Sequence, residues 1–449
     1  MNGRLRRSTT ELVLASVHRG MAAHVTRSTR WRWGLALGGL VLAVGACTQV
    51  TPSVAPSPAA RALGPSPSAR ALAPSPSPVG ASVAPSAAPS ATPTVTPTPS
   101  PAGAPFGSPL PGMPPILDPT NIYAADAAGD LSPAVRGDLP LIYVPNSGSG
   151  TVSEIDPSTY RVVRTFPVGR LPQHIVPSWD LRTLWVTSET GNSLTPIDPR
   201  TGLPGAAVPV EDPYNLYFTP DGRFAIVVAE ARQRLDFRAP DSMRLVHALS
   251  VPCPGVDHGD FSANGRFFLL SCEFASQLLE VDVAGQRVVR LISIPNHGQP
   301  QDVKLSPDGT IYYVSDLRAA GVWEVDATSL RIRGFIPTGA GAHGLYVSRD
   351  ARHLYVANRA AGSVSVIDFA TRQVSATWRL PGGGSPDMGN VSADGTVLWL
   401  SGRYNAEVYA IDTTTGRLLA RIPVGSGPHG VCVWPEPGRY SLGHTGILR

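Results

Sequence analysis

LYVANRAAGSVSVIDFATRQV, residues 354–374, decides the fold. An aromatic and β-branched run, Leu354-Tyr355-Val356-Ala357, is followed by a second, Ser363-Val364-Ser365-Val366-Ile367-Asp368, with Ala360-Ala361-Gly362 between them. Two short strands around a turn cannot bury a core alone. The hairpin therefore needs neighbours, and the chain contains them: IYVPNSGSGTVSEID (142–156), LWVTSETGNSLTPID (184–198), IYYVSDLRAAGVWEVD (311–326) and LWLSGRYNAEVYAID (398–412). The closing Asp falls at 156, 198, 282, 326, 368 and 412, and Ala239 fills the one gap, giving intervals of 42, 41, 43, 44, 42 and 44 residues. A steady period of this length is the mark of a repeat architecture.

Each period reads as four short strands, A to D: HGLYVS (343–348), HLYVAN (353–358), SVSVID (363–368) and QVSATWRL (373–380) in one copy. Turns needing positive φ separate A from B, as at Pro220-Asp221-Gly222, Asn264-Gly265, Pro307-Asp308-Gly309 and Ala393-Asp394-Gly395. The repeat Asp opens a second turn, where its carboxylate can accept a bond from backbone two residues on. Four strands in ~42 residues make one propeller blade. The pattern predicts an all-β, seven-bladed propeller within residues 118–449. LPLIYVPN (139–146) is a B strand and HGVCVW (429–434) an A strand, so the ring is expected to close with N-terminal B, C and D joined by C-terminal A.

The strand-B signatures YVPN, WVTS and YVAN, followed by GSVSVID, resemble the YVTN family of β-propeller repeats over about residues 139–434. The resemblance implies the fold. Similar propellers include the haem-binding domain of cytochrome-type nitrite reductases, lactonase-like proteins and many surface proteins, so it does not by itself select a function.

The N-terminal third reads differently. GLALGGLVLAVGAC (34–47) is an apolar run ending in Cys, preceded by Arg27, Arg30 and Arg32. This is the pattern of a secretory signal, too short for a comfortable transmembrane helix. Val44-Gly45-Ala46-Cys47 resembles a bacterial lipoprotein box, which implies cleavage before Cys47 and lipid on its sulfur. With Met21 as the start, the leader has an ordinary length. Residues 48–117 are rich in Pro, Ser, Ala and Thr, as in ATPTVTPTPSPAGAP (91–105), and are expected to form a disordered stalk. Residues 121–138 are expected to cover an edge of the propeller. The reading is thus an extracytoplasmic, membrane-anchored lipoprotein.

Net charge is only +4 and basic residues are scattered, so nucleic-acid binding has no electrostatic footprint. Cys253 and Cys272 lie in one blade. Strict pairing about Asn264-Gly265 puts Cys272 opposite Asp257, so a disulfide needs the Pro252-Cys253-Pro254-Gly255 bend to close the gap. Disulfide and free thiols stay open as alternatives. Cys432, in an apolar strand, reads as a small core residue. There is no CxxCH, hence no covalent c-type haem. GAGAHG (339–344) and GSGPHG (425–430) open strands rather than helices, so they are not dinucleotide fingerprints.

One constellation bears chemistry. Aligned on the A–B turn, the start of strand A carries Gln173, Tyr214, Asp257, Gln301, His343, Asp387 and His429, and next to them His174, Asn215, His258, Asp302, Gly344, Met388 and Gly430. Strand A is innermost, so equivalent positions ring one mouth of the axial channel. Strand alternation would let only one of the two slots face the axis. His343, Asp387 and His429 share a slot in three consecutive blades and are expected to converge, with His258 and Asp257 across the ring and His174 and Asp302 as further ligand candidates. Two His and a carboxylate suit non-haem iron, zinc or copper. The bland alternative is a wet, polar channel mouth. The sequence favours a monomeric cell-envelope binding or scaffolding module for a small polar ligand, peptide or envelope protein. The rival is a redox or hydrolytic enzyme using a metal ion or non-covalent haem at the same ring.

Overall fold

The computed structural model describes residues 106–449. The signal, Cys47 and the stalk up to residue 105 lie outside the described residues.

Seven antiparallel sheets form a seven-bladed propeller. Blade 1 starts with strand A at Pro172–Pro177, and blades 2 to 6 start at Asn215–Phe218, Val256–Phe261, Pro300–Leu305, Ala342–Val347 and Pro386–Val391. In blade 7, strand A (Cys432–Trp434) pairs with Leu141–Asn146, which continues into Thr151–Asp156 and Arg161–Pro167. The first and last parts of the ring are thus joined in one sheet.

Burial follows strand position. Inner strands are buried throughout, while the outermost strand Gln373–Arg379 alternates exposed and half-buried. Blade faces meet through β-branched and Leu side chains: Val303, Val314 and Val325 of blade 4 share a cluster with Leu345, Val356 and Ile367 of blade 5. Each such side chain contributes roughly 1.5–3 kcal/mol on burial.

The turn chemistry is as the sequence indicated. Gly222, Gly265, Gly309 and Gly395 all have positive φ. Asp156, Asp198 and Asp368 accept backbone bonds from Ser158, Arg200 and Thr371 at 2.8, 2.9 and 2.7 Å. Ala239 occupies the same slot: Met243 N–H bonds its carbonyl at 2.8 Å, as Arg372 N–H bonds that of Asp368.

Two segments depart from the repeat. Residues 106–117, within the stretch read as stalk, pack against the A–B turns. Leu110 is buried and donates its N–H to Asn264 O at 2.8 Å, and Asn264 Nδ2 reaches Phe106 O at 2.8 Å. The packed region therefore includes residues before 118, because Phe106, Leu110 and Met113 bring apolar side chains to the clusters beneath those turns.

The second segment, residues 435–449, fills the channel. Ser441–Gly443 and Ile447–Leu448 form a hairpin on the inner edge of blade 2, where Gly443 pairs with Tyr217. Its base is tied by charge. Arg449 donates to both oxygens of Asp260 at 2.9 and 3.2 Å and lies 4.6 Å from the centre of the Tyr123 ring. Glu436 and Asp126 flank the buried Arg349, which bonds them at 3.3 and 2.6 Å. Removing one partner of a buried pair strands the other. Arg449→Ala is therefore expected to cost about 3–5 kcal/mol; a urea-melt loss under about 1 kcal/mol would show that Asp260 finds other compensation.

Candidate metal centre

Strand A does not alternate at the channel mouth. In blades 1, 3, 4, 5 and 6 the register of A against B shifts where the two candidate slots lie; Val256 pairs with Cys272 but Gly259 with Leu270. Strand A thus holds one residue more than strand B over the same span, a β-bulge. A bulge breaks the two-residue alternation, which corrects the expectation that only one slot faces the axis. The His174 ring (second slot) lies 4.8 Å from that of His429 (first slot), and His258 (second) lies 5.8 Å from His343 (first).

Bulged backbone needs partners of its own. Side-chain hydroxyls of strand B provide them: Thr187, Ser271, Ser315 and Ser401 accept from the N–H of His174, His258, Asp302 and Met388 at 3.0–3.1 Å. Tyr217 and Tyr346 hydroxyls accept from Gly259 and Gly389 in the next blade at 2.9 and 2.7 Å. The same shift explains the cysteines. With Val256 rather than Asp257 opposite Cys272, Cys253 comes within a 5.1 Å Cα separation and forms a disulfide with it.

Two ligand-type clusters result. His343, Asp387 and His429 bring one donor atom each within 4.8 Å of one another, and all three are buried. Arg359 holds Asp387 Oδ1 through Nε at 2.8 Å and Nη2 at 2.7 Å. His343 Nδ1 lies 3.2 Å from that same oxygen. Asp387 Oδ2 is left without a hydrogen bond, 3.7 Å from His429 Nε2. The second cluster is His174, His258 and His444, again within 4.8 Å. His444 sits at the tip of the C-terminal hairpin.

Both nitrogens of His174 and of His258, Nδ1 of His429, Nε2 of His444 and both oxygens of Asp257 are buried without a hydrogen-bond partner. His258 Nδ1 is 2.8 Å from Asp257 Oδ1, but not in hydrogen-bonding alignment. Each unmade bond on a buried polar group costs roughly 1–3 kcal/mol, so their concentration at one place marks a site. Burial pushes all five imidazoles below their ordinary range, His258 to about 4. They are neutral at physiological pH, the form that ligates metals. Burial also drives Asp257 well above the usual carboxylate range, opposed by the Tyr214 hydroxyl.

Asp302 is tied to the backbone on both oxygens, and its Oδ1 stands 3.7 Å from His444 Nε2. Its carboxylate accepts from Val303 N–H at 2.9 Å and Leu345 N–H at 2.8 Å, joining blades 4 and 5. The glycines beside the ring make room for protein: a Cβ on Gly430 would stand 2.1 Å from His174 Nδ1, and one on Gly344 would stand 2.3 Å from the Tyr346 hydroxyl. The sequence reading passed over His444, which lies outside the repeat register. It also passed over the rim. The first residue after strand B is Glu189, Glu230 and Glu273 in blades 1 to 3 but Arg359 and Arg403 in blades 5 and 6, a pattern the same alignment contains. Glu230 is raised to about 9 by burial and by Asp257, Glu189 and Glu273.

Residues 124–438 match the YNCE-like β-propeller family. The chain belongs to that family. No curated protein sequence matches it. Among solved structures, similar folds include hydrazine synthase from Kuenenia stuttgartiensis (TM-score 0.51, 17% identity, covering 64% of this chain and 93% of that one). Others are the dihydro-haem d1 dehydrogenase NirN in complex with DHE (0.52, 16%, 68% and 77%) and a candidate 6-phosphogluconolactonase from Bacteroides uniformis (0.54, 17%, 65% and 98%). At these identities the likeness shows the fold of this YNCE-like propeller and no more.

The neutral imidazoles set a pH dependence. An unfolded His takes a proton near pH 6.5, whereas folded His258 refuses it until about 4. Stability is thus retained above the unfolded value and falls as pH drops through this window, by on the order of 3 kcal/mol for this residue. His258→Gln in the metal-free protein should flatten the loss of denaturant stability between pH 7 and 5. An unchanged slope would mean that His258 is not the group responsible.

Proposed function

We propose that this is a metal-dependent binding propeller of the cell envelope, in which His343, Asp387 and His429 hold a transition-metal ion that captures a small anionic or polar ligand at the channel mouth. The observation that carries the reading is the convergence of these three buried donors, with Asp387 Oδ2 unpartnered while Arg359 fixes Oδ1. Two His and one carboxylate fill three positions of an ion and leave the others open. Arg403 at the rim favours an anion beside it, while Arg359 is already paired with Asp387. Neighbouring imidazoles stand with ring centres 4.7–6.1 Å apart, spacing that suits ions rather than a flat macrocycle between them. The same open positions support the second reading, redox or hydrolytic chemistry on the captured ligand.

Metal analysis and optical absorption of purified protein test the centre. His343→Ala and His429→Ala should each remove the ion bound there and leave the melting temperature of the metal-free protein nearly unchanged. Full metal content in both variants would sink the assignment. Turnover of a captured ligand, as against simple retention, separates the two readings.

Anchoring at the envelope rests on the resemblance at Cys47 to a lipoprotein box. Lipidation contributes ~0.8 kcal/mol per buried CH₂, and more than one chain is needed for stable anchoring. Cys47→Ser should move the protein from the membrane fraction to the soluble one; unchanged partition would remove the lipid anchor from the proposal.

A further inference from the structure

We propose that the ring holds a second ion, bound by His174, His258 and His444, so that the C-terminal hairpin completes an all-imidazole metal site beside the first. The inference rests on reading the axial ring as a metal centre, and adds to it a separate ligand set, a second equivalent of metal and a role for the chain's last segment.

Four observations carry it. The three donor atoms lie within 4.8 Å of one another, and all three residues are 0% exposed. Five of their six ring nitrogens have no hydrogen-bond partner. A tetrahedral ion with ~2.0–2.1 Å bonds wants its ligand atoms roughly 3.4 Å apart, so closure needs side-chain shifts of about an ångström. The backbone at the tip is held against its preference: His444 has φ +53° in the turn Gly443-His444-Thr445-Gly446, a conformation uncommon for a residue with a side chain. His444 N–H bonds Leu216 O at 2.8 Å, which fixes the tip where its ring reaches His174 and His258 at 5.2 and 4.7 Å. The three ligands are all imidazoles, a set that suits zinc or copper, while Asp257 Oδ1 at 2.8 Å from His258 Nδ1 and Asp302 Oδ1 at 3.7 Å from His444 Nε2 stand beside it.

The sixth nitrogen, His444 Nδ1, faces Asn215 Nδ2 at 2.9 Å, while Asn215 Oδ1 accepts from Leu216 N–H at 2.8 Å. A metal on Nε2 places the ring proton on Nδ1, so the Asn215 amide turns its oxygen to that proton when the ion binds. A carboxylate at this position accepts from both groups without turning, the arrangement that orients many metal-bound imidazoles. Blade 4 already carries Asp302 in the same slot.

The test is Zn²⁺ stoichiometry and affinity on chelator-stripped full-length protein, by titration calorimetry and elemental analysis. Wild type should take two equivalents. His444→Ala and His258→Ala should each take one, and His343→Ala should lose the other; His444→Ala/His343→Ala should take none. Asn215→Asp should tighten the site that depends on His444 at least several-fold and leave the His343 site unchanged. Circular dichroism melts of the metal-free variants control for loss of the hairpin, and His258, on strand A, reports on the site without touching that hairpin. One equivalent in wild type, retained by His444→Ala and lost by His343→Ala, overturns the second ion and spares the first. No uptake by wild type overturns the metal centre itself. Two equivalents unaffected by His444→Ala and His258→Ala place the second ion elsewhere and also overturn the proposal.

Discussion

The extra residue in strand A is the constraint on which the site depends. A regular strand would direct His174 and His429, or His258 and His343, to opposite faces, with half of the polar side chains driven into the apolar packing between blades. The bulge turns both neighbours toward the axis. Its exposed N–H groups would be costly if left unmade, and the hydroxyls of Thr187, Ser271, Ser315 and Ser401 answer them. A Ser or Thr in strand B is therefore as much a part of the ring as the imidazole it supports. The bulge also sets Val256 against Cys272 and so brings the disulfide partners together.

The second organising fact is that, among the described residues, a hairpin after the last blade strand lies at the axis. The hairpin of residues 441–448 occupies the channel beneath the ring, fixed by the ion pairs of Arg449 and Glu436. Buried ion pairs of this kind add little net stability, because desolvation opposes their attraction, but they define one arrangement sharply. That suits a segment whose task is to hold the ring of His444 in place. The rim above is divided in residue type, with Glu189, Glu230 and Glu273 on blades 1 to 3, their carboxyl groups raised by burial, and Arg359 and Arg403 on blades 5 and 6.

The fold was legible because it is periodic. Six Asp-closed hairpins and a seventh closed by Ala239, with Gly at four of the A–B turns and Leu181 or Ala351 at positive φ in two others, leave few alternatives, and the Ala239 copy keeps the same backbone bond. The convergence of His343, Asp387 and His429 was legible for the same reason: equal slots in a ring meet at its axis. What escaped is aperiodic. His444 has no counterpart in other blades, so no alignment points to it. The bulge escaped because one added residue changes side-chain direction without changing the repeat length by more than its ordinary variation. Residue type alone does not announce that Asp302 also ties blades 4 and 5 through its two backbone donors. Residues 106–117 were read by composition, which hides the three apolar side chains that dock them.

The hairpin has a consequence for the order of events during biogenesis. Blades 1 to 6 are made of continuous sequence and can form as the chain emerges, but blade 7 waits for Trp434 and the channel waits for Arg449. Until that final segment arrives, the floor of the ring is missing and its imidazoles face an open bore. The ring therefore takes its finished form only once the segment through Arg449 has joined blades 1 to 6.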